Sequence, residues 1–195
     1  MKILAFETTD AVASVALYLD GDVFETILET DRRHAESVLP AAEALLSEHG
    51  LSTGDMDAFA ADVGPGSFTG VRIGVCNANA LGAAHHKTVI AVNALETLAY
   101  AYRTETVCAL IDARNGNGYG AVYADGRTVR EPCACVIADF TADLSDGCRR
   151  IGTGTECPKL PSAGIVVRIA AERTGEAEIA PLYLKLSQAE RMWNA

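Results

Sequence analysis

Two acidic residues and one glycine-rich loop are the features of this sequence whose residue types could support chemistry. Glu7 and Asp112 each follow a short apolar segment of the kind that forms a strand. Paired carboxylates at strand ends can hold a hydrated magnesium ion or orient a water molecule against a phosphate. Such acids equally accept hydrogen bonds from the turn that follows, and the hydroxyls of Thr8 and Thr9 can serve the same turn. These residues alone leave both interpretations open.

The glycine-rich loop comprises residues 64–70, Gly-Pro-Gly-Ser-Phe-Thr-Gly, between a predicted strand and a predicted helix. Free N–H groups and the dipole at a helix N-terminus favour an anion, and the hydroxyls of Ser67 and Thr69 would add donors. The spacing matches neither a Walker loop nor a nucleophile elbow, in which glycine would replace Pro65. The alternative is a rigid turn, in which proline fixes φ and the glycines let Phe68 tuck under the helix. Residue chemistry favours neither alternative.

The candidate nucleotide-binding or anion-binding residues are the two acids, the threonines after the first of them and five residues of the loop. They are Glu7, Thr8, Thr9, Gly64, Gly66, Ser67, Thr69, Gly70 and Asp112. No metal site is predicted, because no two histidines lie four residues apart on a helix and the cysteines lack paired Cys-x-x-Cys spacing.

The predicted strands that position these residues occur as a repeat. Two apolar segments followed by the hairpin signal Asp20-Gly21 predict a meander of three strands within residues 3–28. The same order returns 105 positions later, where Asp125-Gly126 takes the place of the first hairpin signal. This constant spacing predicts two duplicated lobes, residues 1–105 and residues 106–195. Unrelated hairpins of common type are the alternative.

Helical periodicity occurs at three places in the first lobe. Residues 34–49 carry apolar positions at three- and four-residue spacing, and Pro40 predicts a kink unless the regular helix begins close to it. A slim helix is predicted from about residue 71 to residue 84, because glycine and alanine recur there at four-residue spacing. Asn93 and Glu96 predict a capping box at the start of the third helix.

The second predicted lobe contains less regular secondary structure than the first. Beyond residue 131 it contains four prolines, and residues 165–173 are its best helix candidate, so it cannot hold a full copy of the first layer. Interleaved strands and helices with a duplicated meander predict an α/β fold of two similar lobes, the second reduced.

The amino-acid composition limits which partners the protein can bind and which cell compartment we expect for it. The 195 residues include 16 Lys+Arg and 26 Asp+Glu, for a net charge of −10, and 49% are apolar. A packed globular protein of this charge is a poor candidate to grip RNA, DNA or an anionic membrane alone, so a partner would have to supply a basic surface. Glu7 comes too early for a signal peptide, and no apolar run approaches the about 20 residues of a membrane span. We expect a cytoplasmic protein whose six cysteines are reduced.

A longer stretch that includes the loop resembles a known family signature. Residues 64–74, Gly-Pro-Gly-Ser-Phe-Thr-Gly-Val-Arg-Ile-Gly, look like the signature of the TsaB (YeaZ) family, bacterial partners in tRNA threonylcarbamoyladenosine synthesis. Further stretches agree in order and position, so the resemblance covers the whole chain. They are residues 3–8, 33–36, 110–114 and, near the end, 181–184 with 188–191.

The resemblance implies an actin-like, hexokinase-like ATPase (ASKHA) fold of two duplicated βββαβα-type lobes. It also implies a non-catalytic scaffold that pairs with the paralogue TsaD, which carries the metal and transfers threonylcarbamoyl to the adenosine next to the anticodon. The ATPase TsaE joins the pair. The chain would then have no catalytic residue and no intrinsic cofactor, would reach tRNA only through the complex and would not bind a membrane.

Nucleotide and oligomer expectations follow from the same resemblance. ATP or ADP with magnesium would bind at the complex interface, and a homodimer is expected when TsaD is absent. Three residues depart from the usual family pattern: this chain has Glu7 where Asp is common, Val63 where Arg is common and Asn79 where Lys is common. These departures bear on nucleotide hydrolysis and on the detail of the partner contact.

Two predicted helices form the candidate partner surface, because an apolar stripe and closely packing small residues suit pairing between related lobes. The alternative is that both helices only cover their own sheet. The interface candidates are Val38, Leu39, Ala42, Leu45, Leu46, Val71, Arg72, Gly74, Val75, Ala78 and Gly82.

Two enzymatic functions are alternatives to the scaffold. One is an ATP-binding kinase or ATPase that uses Glu7 and Asp112 with magnesium and the glycine-rich loop. The other is a peptidase that uses Ser67 or a cysteine, for which no spacing gives support.

Overall fold

The computed structural model describes residues 1–28, 34–157 and 159–185. These residues form two compact units, of which the first comprises Met1–Thr97 and Leu160–Pro181. The second comprises Leu98–Lys159 and the described residues from Leu182 onward. This division differs from the predicted lobes 1–105 and 106–195, because residues 160–181 pack with the first unit. Residue 33 and residues 188–191, which carry part of the family resemblance, lie outside the described residues.

The first unit is built on a five-stranded sheet with the order β3-β2-β1-β4-β5. Its strands are β1 (Lys2–Glu7), β2 (Ala13–Leu19), β3 (Asp22–Leu28), β4 (Ala58–Asp62) and β5 (Thr88–Val92). Strand β1 pairs with β2 in antiparallel and with β4 in parallel orientation, and β4 pairs in parallel with β5. The successive residues of β1 and β4 are buried, so both faces of the sheet are covered.

The described residues form five α-helices, of which three lie in the first unit, one lies in the second and one crosses the boundary after Thr97. They are α1 (His34–Glu48), α2 (Phe68–His85), α3 (Ala94–Ala99), α4 (Ile137–Thr141) in the second unit, and α5 (Ala163–Ala170). Helices α1 and α2 contact each other and the sheet, whereas α5 contacts all five strands. Among the described residues, no helix combines the length and the apolar character that a membrane crossing requires.

The second unit contains a four-stranded sheet with the order β8-β7-β6-β9. Its strands are β6 (Thr106–Asp112), β7 (Asn117–Ala124), β8 (Arg127–Val136) and β9 (Arg149–Gly152). Strand β6 is antiparallel to β7 and parallel to β9, which repeats the order β3-β2-β1-β4 of the first sheet. The two predicted meanders are thereby confirmed, and the chain has a mixed α/β fold with two sheets.

Both hairpin turns have the backbone conformation that their Asp-Gly pairs predict. Asp20 and Gly21 have φ angles of 51° and 115°, and Asp125 and Gly126 have φ angles of 50° and 71°. Positive φ at both central residues matches the twist of the flanking strands, and glycine adopts it without a Cβ clash. The local sequence therefore determines where each meander turns.

The glycine-rich loop is shorter than predicted. Helix α2 begins at Phe68 and not near Val71, because the Ser67 side chain caps it and accepts a hydrogen bond from the Gly70 N–H at 3.3 Å. Phe68 does not tuck under the helix. Its side chain is 43% exposed, with the guanidinium of Arg72 at 4.1 Å from its ring centroid.

The structure differs in part from two further predictions about helices. Pro40 lies inside α1, which begins at His34. Asn93 caps α3 as predicted, since its Oδ1 accepts a hydrogen bond from the Leu95 N–H at 2.8 Å. Glu96, expected to complete a capping box, instead forms an ion pair with Arg173.

Helix α5 is attached to the first sheet through its N-terminus. The Ser14 hydroxyl, on β2, accepts a hydrogen bond from the Ala163 N–H at 2.9 Å. The Glu25 carboxylate, on β3, accepts hydrogen bonds from the Ser162 hydroxyl at 2.9 Å and from the Gly164 N–H at 3.1 Å. Side chains that are remote in sequence therefore satisfy the first N–H groups of this helix.

Replacing Glu25 by alanine is expected to lower the free energy of unfolding by about 1 kcal/mol, because the start of α5 loses a charged acceptor. Urea unfolding measures this change. Glu131→Ala is the matched control, since Glu131 is an exposed glutamate on strand β8. Equal effects of the two substitutions would show that Glu25 does not stabilise the docking of α5.

Candidate functional site

The ends of two parallel strands bring two acids together in the first unit. Glu7 ends β1 and Asp62 ends β4, and these neighbouring strands run in the same direction. Both carboxyl groups are fully buried, at 0% exposure. They lie within hydrogen-bonding reach of each other. Two buried carboxyl groups in contact cannot both keep a negative charge at low cost.

Each acid also accepts hydrogen bonds from the turn after its own strand. Glu7 Oε1 accepts from the Thr9 N–H at 2.6 Å and from the Thr9 hydroxyl at 2.7 Å. Asp62 Oδ1 accepts from the Gly64 N–H at 2.7 Å, and Asp62 Oδ2 also accepts from the Thr97 hydroxyl of helix α3 at 3.3 Å. The acids therefore stabilise the two turns that lead away from the strand ends.

The protonation of the pair follows from its burial. Loss of hydration raises the pKa of Glu7, although hydrogen bonds from Asp62 and Thr9 oppose that shift. Loss of hydration raises the pKa of Asp62 well above its ordinary value, and the negative charge of Glu7 adds to that shift. We therefore assign the shared proton to Asp62, whose carboxyl donates to Glu7.

The Glu7 Oε2 oxygen is consistent with a proton shared between the two carboxyl groups. Among the described residues, Glu7 Oε2 is the buried side-chain oxygen or nitrogen that lacks an ordinary hydrogen-bond donor. A protonated Asp62 supplies that donor, because a neutral carboxyl carries one O–H group. The pair is satisfied only while one proton stays between the two side chains.

The glycine-rich loop packs directly on the turn that follows β1. The Ser67 N–H donates to the Thr9 carbonyl at 2.7 Å, and the Thr8 hydroxyl donates to the Gly70 carbonyl at 2.6 Å. A Cβ on Gly66 would lie 2.5 Å from the Thr9 carbonyl oxygen, and one on Gly70 would overlap the Thr8 carbonyl oxygen. These glycines are thus required by the close approach of protein backbone.

These contacts favour the rigid turn over the anion site. The space that a phosphate would need against Gly66 and Gly70 is filled by Thr8 and Thr9, which are themselves buried. The loop therefore does not fit a nucleotide phosphate on this side. The Ser67 hydroxyl caps α2, which is a structural role and not that of a nucleophile. Among the described residues, no group of three or more His, Cys, Asp or Glu side chains could hold a metal ion.

Asp112, in the second unit, makes the same local contact as the two acids of the first unit. Its Oδ1 accepts a hydrogen bond from the Arg114 N–H at 2.7 Å, two residues further along the chain. Glu7 and Asp62 accept from the residues at the same separation, Thr9 and Gly64. The turn-stabilising role of strand-end acids is therefore observed at all three positions.

The interface candidates separate into two groups by burial. Nine are buried against the sheet of their own unit: Val38, Ala42, Leu45, Leu46, Val71, Gly74, Val75, Ala78 and Gly82. Their side chains cover the sheet, and a contact of these residues with a partner stays a prediction. Leu39 on α1 and Arg72 on α2 are exposed, each on the side of its helix that is opposite to the buried residues. The apolar stripe and the glycines thus cover the sheet, whereas the other faces of these helices are exposed.

Sequence reasoning missed one central residue of this site, Asp62. It has the same signal as Glu7 and Asp112, an acid directly after a run of apolar strand residues. Only the pairing of β4 with β1 shows that Asp62 and Glu7 are neighbours.

Comparison with known proteins gives the family context of these features. The sequence profile described as "TsaD: tRNA N6-adenosine threonylcarbamoyltransferase" matches residues 28–149. The Escherichia coli "tRNA threonylcarbamoyladenosine biosynthesis protein TsaB" is 41% identical over 127 residues, which are 63% of this chain and 55% of that protein. The matched region thus spans about half the length of that relative. The Bacillus subtilis protein of the same name is 28% identical over 99% of this chain and 98% of its own length.

A solved structure supports the same relationship. The crystal structure of an uncharacterized protein with similarity to peptidase YeaZ, from Pseudomonas aeruginosa, matches with a TM-score of 0.83 and 31% sequence identity. The match covers 94% of this chain and 99% of that one. The mixed α/β architecture with two sheets is therefore shared with a solved relative of nearly the same extent.

Proposed function

The chain belongs to the TsaB (YeaZ) family, and we therefore propose that it serves in the biosynthesis of threonylcarbamoyladenosine in tRNA as a non-catalytic subunit. Its partner is a TsaD-type paralogue, which transfers threonylcarbamoyl to the adenosine next to the anticodon. TsaE is the third member of the assembly, and the chain forms a homodimer when the paralogue is absent. The protein acts in the cytoplasm and meets tRNA within the complex.

The observation that carries the non-catalytic role is the packing of Thr8 and Thr9 against the glycine-rich loop. Gly66 and Gly70 are glycines because protein backbone passes close to them, and the Glu7 carboxylate is bonded to Thr9. The loop and acidic residues that could hold a phosphate or a magnesium ion are thus already in contact with other residues of the fold. This arrangement supports a subunit whose loop stabilises its fold, with any ATP or ADP and magnesium held where the complex assembles.

The repeated sheet order supports a duplicated ASKHA-type fold. Strands β8-β7-β6-β9 repeat β3-β2-β1-β4, and the second sheet has no described counterpart of β5. We assign the first unit to partner contact and regard the second as the reduced copy.

The outer face of α1 and α2 is the surface that we assign to the TsaD-type partner. It is formed by the exposed residues Leu39, Phe68, Arg72, Cys76 and Ala80. Leu39 and Phe68 are two of the large apolar side chains that stay exposed, at 38% and 43%. Cys76 and Ala80 are small, which allows a partner helix to approach α2 closely. An apolar face with small residues fits the corresponding helices of a related chain.

Replacing Ala80 by arginine is expected to weaken the complex with the purified TsaD-type partner at least about tenfold, because a long charged side chain then projects from this face. Titration calorimetry or co-elution measures the loss. The thermal unfolding of the variant should match that of the parent protein, since Ala80 is exposed. Ala142→Arg, at an exposed alanine of the second unit, is the matched control. Equal affinity of the Ala80 variant and the parent would place the interface elsewhere.

The scaffold role itself is tested by assembly and by modification of tRNA. The chain and its cognate TsaD-type protein should co-elute, and formation of the modified adenosine should require both. Failure to co-elute in every nucleotide state would contradict the proposal. ATP turnover by the isolated chain that is abolished by Asp112→Ala would instead establish the ATPase alternative.

A further inference from the structure

Two cations of the second unit converge on one tyrosine ring. Tyr102 lies in the short 3-10 helix Tyr100–Tyr102, which follows α3. The Cζ atom of Arg149 lies 4.9 Å from the Tyr102 ring centroid, and the Nζ atom of Lys159 lies 5.6 Å from it. Both distances are within the range of cation–π attraction. The ring therefore holds two positive groups in defined positions.

The charges of this cluster are only partly neutralised. The Arg149 Nε–H donates to Glu105 Oε2 at 2.8 Å, and both side chains are nearly half exposed. Within the part of the chain that the structure describes, the Arg149 side chain forms no other hydrogen bond or ion pair, and the Lys159 side chain forms none. The two terminal guanidinium nitrogens and the ammonium group can thus donate to a ligand. Two positive charges and one negative charge leave this cluster basic in a chain of net charge −10.

The tyrosine does not supply the missing negative charge. Its hydroxyl forms a hydrogen bond with Cys157 Sγ at 3.7 Å. This contact raises the pKa of Tyr102, so the phenol stays neutral at physiological pH. A second stacked pair lies nearby in sequence, with Arg103 Cζ at 4.6 Å from the Tyr100 ring centroid.

We propose that Arg149 and Lys159, held on the ring of Tyr102, bind phosphate groups of tRNA when the chain is part of its complex. The inference rests on the proposed function in tRNA modification, which supplies the polyanion. Guanidinium and ammonium groups bind phosphate oxygens by charge-assisted hydrogen bonds, and stacking on a ring reduces the entropy that they lose on binding. Two such contacts are too few for an acidic chain to bind RNA alone, but they add to the basic surface of a partner.

Phosphate contacts of this kind position RNA without reading its sequence. The cluster offers cations and a ring whose π-face is already occupied by the protein's own side chains. It therefore fits the backbone of tRNA and not an unpaired base.

The double substitution Arg149→Gln with Lys159→Gln tests the proposal in the assembled complex. Binding of fluorescent tRNA is measured over a series of salt concentrations. We expect about 3-fold to 10-fold weaker binding at low salt and a decrease of about 1 to 2 in the slope of log K against log salt. Assembly with the TsaD-type partner should be unchanged.

Arg130→Gln is the matched control, because Arg130 has the same kinds of contact. Its Cζ lies 4.8 Å from the Phe140 ring centroid, and its Nη2 donates to Asp143 at 2.7 Å. The control should bind tRNA like the parent complex. Tyr102→Leu should reproduce part of the loss, whereas Tyr102→Phe, which keeps the ring, should not.

The possible outcomes separate this inference from the proposed function. A complex that assembles and modifies tRNA but binds it equally with and without the two cations would overturn the inference alone. A double variant that assembles poorly would identify the cluster as a protein contact and also overturn it. Absence of assembly, or absence of tRNA binding by the parent complex, would contradict the proposed function and the inference with it.

Discussion

Replacement of Gly70 by alanine is expected to destabilise the protein by about 3 kcal/mol or more. Helix propensity predicts the opposite sign, a gain of up to about 1 kcal/mol, because Gly70 lies in the first turn of α2. The clash decides the outcome, since the new Cβ would overlap the Thr8 carbonyl oxygen. That oxygen belongs to the backbone and cannot move without displacing the turn after β1.

Thermal and urea unfolding measure this effect, with Gly147→Ala as the control. A Cβ on Gly147 would have no atom within 4 Å, so alanine there should change stability little. The result also separates the two interpretations of the loop. If Gly70 were needed for a phosphate, Gly70→Ala would leave unfolding unchanged and would weaken nucleotide binding only.

The second large effect concerns the pH dependence of stability. The raised pKa values of Glu7 and Asp62 mean that the folded protein binds more protons than the unfolded chain above about pH 4. Their contribution to stability is therefore fully present below the unfolded pKa values and is lost as pH rises toward the folded ones. Each proton retained only by the folded state contributes a slope of about −1.4 kcal/mol per pH unit.

Asp62→Asn should flatten this dependence, because the asparagine amide donates to Glu7 without needing a proton from solution. We expect the variant to exceed the parent protein in stability by about 1.4 kcal/mol or more at pH 8, and the difference to shrink toward pH 5. Urea unfolding at a series of pH values measures both curves. Asp146→Asn, at an exposed aspartate, should leave the curve of the parent protein unchanged. Parallel curves for Asp62→Asn and the parent would rule out a shared proton.

Strand and turn positions could be predicted well because their causes are local. Apolar runs and Asp-Gly pairs act within a few residues, so both meanders and their turns were predictable. The start of α2 was predicted three residues too late, because the cap formed by Ser67 with Gly70 was not recognised. A serine before a helix with glycine three positions later could have indicated it.

Faces of helices were harder to predict than the helices themselves. The apolar stripe of α1 and the small residues of α2 suit either a sheet or a partner, because both bury the same kind of surface. Val38 and Gly74 are buried against the sheet, and a partner contact of the two helices stays a prediction. The exposed positions Phe68 and Ala80 carry weaker patterns, so sequence periodicity gave no reason to select them.

The mixed α/β class, the repeated meander and the signature of residues 64–74 could all be read from the amino-acid sequence, because each depends on neighbours along the chain. The contact between Asp62 and Glu7 and the packing of α5 on the first sheet emerged only from the folded arrangement. Those contacts join residues such as Ser14 and Ala163, which are 149 positions apart. Such pairs form only when strands align and water is excluded, and neither condition is encoded in local spacing.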